Sequence, residues 1–472
     1  MKEKHTPHQP QQPRLERSNT ILLIAIALLL AVILAQLVFL LRMDSPEAPM
    51  IAEAPATTAT QDDAWVARLN AWANEFQIPE NVLPRDKAAL LALKKLKLDR
   101  EGSSLPKITW LPPEIGQLQQ LQELDLRVNQ LSSLPAEIGQ LQHLQELNLS
   151  GNQLSSLPAG IGQLQQLREL WLSENQLTAL PTEIGQLQHL QELNLNTNQL
   201  TSLPPAILQL QQLRELWLSE NQLSTLPPEI GQLRQLQKLY LWNNQLSSLP
   251  AEIGQLQQLQ ELDLRVNQLS SLPAEIGQLQ QLQALSLGGN QLTALPAEIG
   301  QLQQLQKLEL GANQLDTLPA EIGQLQHLQE LRLNHNQLST LPAEIGQLRQ
   351  LQELGLWHNQ LATLPAEIGK LQQLQKLWLT DNQFTALPAE ITQLQQLREL
   401  SLKENKLTAL PAEIGQLRQL QNLDLDGNQF AALPVEITRL QQLEYLDIER
   451  NSGLQLTPAQ EQFLKGIKEV ER

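Results

Sequence analysis

The 472-residue sequence contains no cysteine, which removes disulfides, thiolate nucleophiles and cysteine-held zinc from consideration. Aromatic residues make up only 3%, too few for a platform on which successive bases stack. Cations are scarce beside anions, 33 Lys and Arg against 50 Asp and Glu for a formal charge of −17, so the chain repels phosphate backbones and nucleic acid is not expected as a partner. There is no G-x-x-x-x-G-K-[ST] phosphate loop, since Gly369-Lys370 only substitutes Lys for Gln in a repeated frame, and no Ser/His/Asp arrangement stands out. These absences argue against an enzyme and against a cofactor.

One long apolar run is present. Residues 21–41 read ILLIAIALLLAVILAQLVFLL, uncharged throughout, and at ~1.5 Å per residue such a helix crosses a ~30 Å hydrocarbon core. It is expected to be a single transmembrane helix, with the lipid bilayer as its partner; a cleaved signal peptide has a shorter apolar region. Lys2, Lys4, Arg14 and Arg17 precede it, whereas Arg42 alone among cations follows closely. The positive-inside rule then puts residues 1–20 in the cytoplasm and the remainder outside, at the plasma (inner) membrane. Residues 42–60, rich in Pro, Ala and Thr, read as a tether.

Self-comparison gives the strongest signal. Asparagine recurs every 23 residues from Asn129 to Asn451, fifteen times without a gap, within the frame L-x-x-L-x-L-x-x-N-Q-L-x-x-L-P-x-E-I-G-Q-L. Leu121, Leu124, Leu126, Leu131, Leu134, Ile138 and Leu141 supply seven apolar side chains per period, which a single coil cannot bury, so coils must stack. Leu124-Asp125-Leu126 alternates as a short strand, and stacked strands form a parallel sheet. Pro135 opens the return segment where no amide donor is needed, and Glu137 to Leu141 suits one helical turn. The asparagine amide is expected to satisfy backbone groups between coils. The glycine after Ile is replaced by Leu208, Thr392 and Thr438, so it is expected to be permissive and not to require positive φ.

The frame resembles leucine-rich-repeat proteins, in particular the short LPxEIGxL class that looks like Ras-suppressor-type, plant Ras-group-related and many bacterial members. The resemblance implies a right-handed, curved α/β solenoid, with a parallel sheet on the concave face, short helical turns on the convex face and protein recognition as its work. The expected divisions are a helical N-cap at 61–92, a solenoid at 93–451 with one atypical and fifteen regular repeats, and a helical C-cap at 452–472. Trp65, Leu69, Trp72 and Phe76 fall on one helical face of the first cap. Thr457-Pro458-Ala459-Gln460 spells a capping box before Phe463 and Ile467 in the second. The first repeat carries a five-residue insertion before Leu111-Pro112.

Residues six, four, two and one before each Asn vary while the leucines scarcely do, which marks a binding surface. The aromatics gather there: Trp171, Trp217, Tyr240 and Trp242, then Trp357 and Trp378. Glu169 and Glu215 belong to a row that is glutamate in nine of fifteen repeats, and Lys238 interrupts it. This predicts an acidic surface with exposed aromatic islands that takes a protein ligand, a glycan being the other candidate. Residues 121–142 repeat at 259–280, and LRELWLSENQL occurs at 167–177 and 213–223, so Trp171 and Trp217 are equally well read as copies of one ancestor. The metal candidates weaken on inspection. His143/Glu146, His189/Glu192 and His327/Glu330 are not expected to converge, and His335, His358 and Asp381, equivalent positions in successive coils, read first as solvated side chains, so no metal is assigned. A cytoplasm-facing signalling scaffold and an adhesive, carbohydrate-binding surface protein are the rival functions.

Overall fold

In the computed structural model residues 63–472 are described. The tail, apolar segment and tether expected over 1–60 lie outside the described residues. No helix among the described residues is long and apolar enough to cross a membrane.

Each coil spends three residues on a strand, as in β2 (Glu123–Asp125) with Leu124 inward, and five on a 3-10 turn, as at Ala136–Gln140. The chain enters that turn through Pro135, whose extended backbone (φ −68°, ψ 148°) suits a residue with no N–H to lose. The strands from β1 (Lys95–Lys97) to β17 (Glu469–Glu471) form a seventeen-stranded parallel sheet. Within the regular repeats partners are 23 residues apart, Leu124 facing Leu147. The first step is longer: Leu96 pairs with Leu124, and the insertion before Leu111 takes up the five extra residues.

The seven apolar columns fill the interior. Leu121, Leu124, Leu126, Leu131, Ile138 and Leu141 are fully buried and Leu134 nearly so, and the pattern continues coil after coil. Every asparagine of the ladder pins two coils together. Asn152 Nδ2 donates to the carbonyls of Leu149 (2.9 Å) in its own coil and Leu126 (3.0 Å) in the preceding one, while its Oδ1 accepts from Leu131 N–H at 3.0 Å. Three backbone groups that stacking leaves open are thereby satisfied.

Two local features refine the sequence expectations. The repeat glycines have no positive φ, as expected, yet they do more than permit. A Cβ on Gly254 would stand 2.5 Å from Glu275 O and 2.9 Å from Gln278 Oε1 of the next coil, so hydrogen sets the close approach of the turns. Where Leu208 and Thr392 intrude, the adjoining turns stand farther apart. There Gln211 and Gln395 reach only the carbonyls of Leu208 and Thr392, whereas Gln257 bonds both Gly254 and Gln278 of the next coil. The second feature is the residue just before each ladder Asn, which is left-handed in all fifteen repeats, including Val128 (φ 54°), Thr197 (φ 54°) and Val266 (φ 54°). The backbone must reverse there between the strand and the Asn.

Helix α1 (Ala64–Glu75) covers the N-terminal end with Leu69 and Trp72, and α2 (Lys87–Leu91) adds Leu90. At the other end α3 (Pro458–Leu464) begins with the expected capping box, Thr457 N–H donating to Gln460 Oε1 at 2.9 Å. The C-terminal cap is not wholly helical, however. The helix stops before Ile467, and β17 pairs with β16 (Tyr445–Asp447), carrying the sheet past the expected boundary at 451. An unpaired last strand would present open backbone donors, and β17 covers them.

Candidate ligand-binding sheet face

On the sheet side the rows six, four, two and one before Asn meet at strand spacing. Crowding changes their character. Trp171, Trp217, Tyr240, Trp357 and Trp378 are half-buried by neighbouring rings and carboxylates and not exposed as expected; only Trp242 stands open. Trp217 meets Tyr240 edge-on with centroids 5.0 Å apart, and Trp357 meets Trp378 at 5.9 Å and 88°. The sequence placed these residues together correctly, and the contacts consume part of each ring.

Polar partners hold several of them. Trp217 Nε1 donates to Glu215, which also pairs with Lys238 at 3.0 Å and so raises the lysine's pKa. Tyr240 OH donates to Glu261 at 2.5 Å; burial first, then that carboxylate, pushes the phenol well above its ordinary pKa. Trp378 Nε1 donates to Glu399, and the Lys376 ammonium lies 5.7 Å from its ring. Trp171 is different: its indole N–H has no partner among the described residues, and its ring borders a hollow of about 340 Å³ lined also by Asn148, Ser150, Gly151 and Glu174.

The face is not uniformly acidic. Between Lys307 and Lys376 the carboxylates meet cations: Lys307 reaches Glu309 and Glu330, Arg332 lies among Glu309, Glu330 and Glu353, and Lys376 bonds Glu353 at 2.7 Å. Over the four coils from Asn152 to Asn221, by contrast, these rows hold Glu146, Glu169, Glu174, Glu192, Glu215 and Glu220 and no Lys or Arg. Glu169 and Glu192 are pushed above the usual carboxylate range by burial and then by neighbouring glutamates.

The histidines divide into two groups. His143, His189 and His327 turn their Nδ1 to the carbonyls of Gln119, Gln165 and Gln303 in the preceding coil. His335 and His358 stack with centroids 4.2 Å apart, and His358 Nδ1 meets Asp381 Oδ2 at 2.5 Å. Burial first, then His358, lowers the pKa of His335. Sequence reasoning missed Asp426, Asp447 and Glu449, whose carboxylates lie within 4.8 Å of one another near the C-terminal end. Arg450, and after it Lys403 at 2.9 Å, already neutralise Asp426 and hold its pKa down. The column spacing could have revealed the trio, since Asp426 and Glu449 are equivalent positions of successive coils and Asp447 lies two residues before Glu449 at the end of its strand.

Family models described as a leucine-rich repeat region match residues 80–177, 161–244, 210–289 and 389–469, and one described as a leucine rich repeat matches 303–361. The chain belongs to the leucine-rich-repeat family. Among solved structures, a leucine-rich-repeat protein of Leptospira interrogans is 46% identical over 81% of this chain and 98% of its own, with a TM-score of 0.74. The plant peptide hormone receptor RGFR1, solved with RGF2, is 32% identical over 80% of this chain and 66% of its own, TM-score 0.67. A TDR receptor is 30% identical over 76% and 68%, TM-score 0.64. No curated protein matches.

The leucine-rich-repeat frame explains which expectations the structure could meet. Core columns are dictated by position in the repeat, whereas the partners of each sheet-face residue depend on which side chain stands one coil away.

Proposed function

We propose that the chain is a membrane-anchored recognition protein whose solenoid takes a protein ligand on its sheet face, outside the cytoplasm. The observation that carries this reading is the face itself. Seventeen parallel strands leave one side of the sheet uncovered, and its variable rows hold two aromatic islands on a rigid core, the arrangement of an interface anchor. The related plant receptor solved in complex with RGF2 supports the same use. Anchoring rests on the uncharged run 21–41 and orientation on the cations preceding it.

Protease added to intact cells or spheroplasts tests the placement, with a cytoplasmic protein as the lysis control. Digestion of the solenoid is the expected result. Protection until the membrane is permeabilised would reverse the orientation and leave a cytosolic scaffold.

A further inference from the structure

We infer that the ligand segment bound by the coils from Asn152 to Asn221 is cationic and extended, a Lys- or Arg-bearing stretch running across the strands with one side chain over Trp171. The inference rests on the sheet face being the ligand surface and names what it prefers.

Charge complementarity carries the argument. A leucine-rich sheet face built from one repeat offers the same rows everywhere, so a stretch whose carboxylates have neither cation nor donor is informative; Asp424 and Asp447 also lack a cation, but they accept from Ser401 Oγ and Glu449 N–H. From Lys307 to Lys376 each glutamate of these rows has its own cation within the protein. Between Arg127 and Lys238 no cation occurs in the four rows. Glu146, Glu169 and Glu192 stand on successive strands, directly across from one another, and none of their carboxylates has a hydrogen-bond or ion-pair partner among the described residues. Like charges opposed at strand spacing cost stability, and partial burial deepens that cost. A cationic ligand removes both penalties on binding.

Geometry fits such a ligand. Three strand steps of ~4.8 Å span about 15 Å, which about five extended residues cover, so the side chains on one edge of such a segment lie along the glutamate row. Trp171 follows Glu169 by two residues on β4 (Glu169–Trp171) and borders the hollow with Ser150, Gly151 and Glu174; Arg127, which also lines it, is already paired with Asp99 and Asp125. An ammonium or guanidinium entering there lies over an indole face with a carboxylate at the rim. A neutral or acidic segment would leave the ladder uncompensated.

The test uses the full chain in non-ionic detergent and a fluorescent alternating Lys–Gly peptide of about eight residues, with binding read by anisotropy and its footprint by hydrogen exchange. Because the whole protein is anionic, the decisive comparison is between two triple variants of equal net charge. Glu146→Gln/Glu169→Gln/Glu192→Gln is expected to weaken binding about tenfold. Glu137→Gln/Glu183→Gln/Glu229→Gln, on the turn side, is expected to leave it within about twofold. Trp171→Leu should weaken it without altering its salt dependence. No binding at low ionic strength, or equal losses in the two triple variants, overturns the cationic ligand and leaves the sheet-face reading standing. Binding whose exchange protection falls on the 3-10 turns instead of the strands overturns that reading as well.

Discussion

Asn244 Nδ2 lies 2.9 Å from the carbonyl oxygen of Leu218, and the same side chain's Oδ1 accepts from Leu223 N–H at 3.0 Å, so one amide closes the seam between two coils. A third bond, to Leu241 O at 3.1 Å, ties it to its own strand. Replacing Asn244 with Ala leaves the buried Leu223 N–H without its partner and removes one of two amide donors from each of the carbonyls of Leu218 and Leu241, which keep Asn221 and Asn267. The expected cost is about 2 kcal/mol, the scale of one buried unsatisfied donor at ~1–3 kcal/mol. Urea unfolding gives the magnitude. Hydrogen exchange should show the loss concentrated at the strands on either side, because each coil touches only its neighbours.

The turn-side glycines predict an asymmetry between adding a side chain at a closed seam and removing one at an open seam. Gly254→Ala pushes a Cβ to 2.5 Å from Glu275 O, a backbone atom that yields only if the two coils part. A cost of about 2 kcal/mol follows from overpacking, read as a lowered urea midpoint. Thr392→Gly, at a seam already open, is expected to change stability by less than about 1 kcal/mol, since the Thr392 hydroxyl is bonded within its own coil to Ala389 O. Equal effects in the two variants would show that close approach is not what the glycine provides.

How far the sequence reaches is visible in these two cases. The Asn ladder and the leucine columns were legible because a fixed period of 23 translates directly into stacked positions. The glycine's role was only half legible: substitution at Leu208 showed that φ is ordinary there, but nothing local revealed Glu275 O waiting one coil away from Gly254. Likewise, Lys238 and Glu215 were both recognised as face residues, while their ion pair and the absence of one at Glu169 depend on residues 23 positions off. The left-handed residue before each Asn was missed, since Gly fills it in only three of the fifteen repeats and Val, Glu, Thr, His and Arg stand there in others. Strand β17 was missed because α3 and an altered spacing carry it out of frame.

Val266 shows what that left-handed position costs. At φ 54° its branched Cβ crowds the backbone, a strain of ~1–2 kcal/mol for an L-residue, and at 47% exposure its side chain returns little by burial. Val266→Asn, with a side chain that tolerates this region, should therefore stabilise the protein by about 1 kcal/mol. The same change at an ordinary exposed strand position has no such gain. Thermal unfolding of the single variant decides between strain and no strain.

The last prediction concerns pH and the unpaired carboxylates. The folded-state pKa values of Glu169 and Glu192 lie above their ordinary value, burial being the larger cause and neighbouring glutamates the smaller. A raised folded pKa means that the native state binds the proton more tightly than the unfolded chain does. These two groups therefore favour folding below the unfolded pKa, and that contribution is lost as pH rises through the folded one. At neutral pH both are ionised and oppose folding; Glu169→Gln removes the charge and keeps the shape. The expected gain at pH 7 is about 0.5 kcal/mol, the scale of a like-charge cross-strand pair at a partly solvated surface, and it should shrink as pH falls through the raised folded pKa. Glu353→Gln is the opposite case, because Lys376 holds that carboxylate at 2.7 Å and loses its partner. A urea series from neutral pH downward should show the Glu169 variant converging with the parent as pH falls, and a gain that did not shrink would mean the glutamate's charge was not the cause.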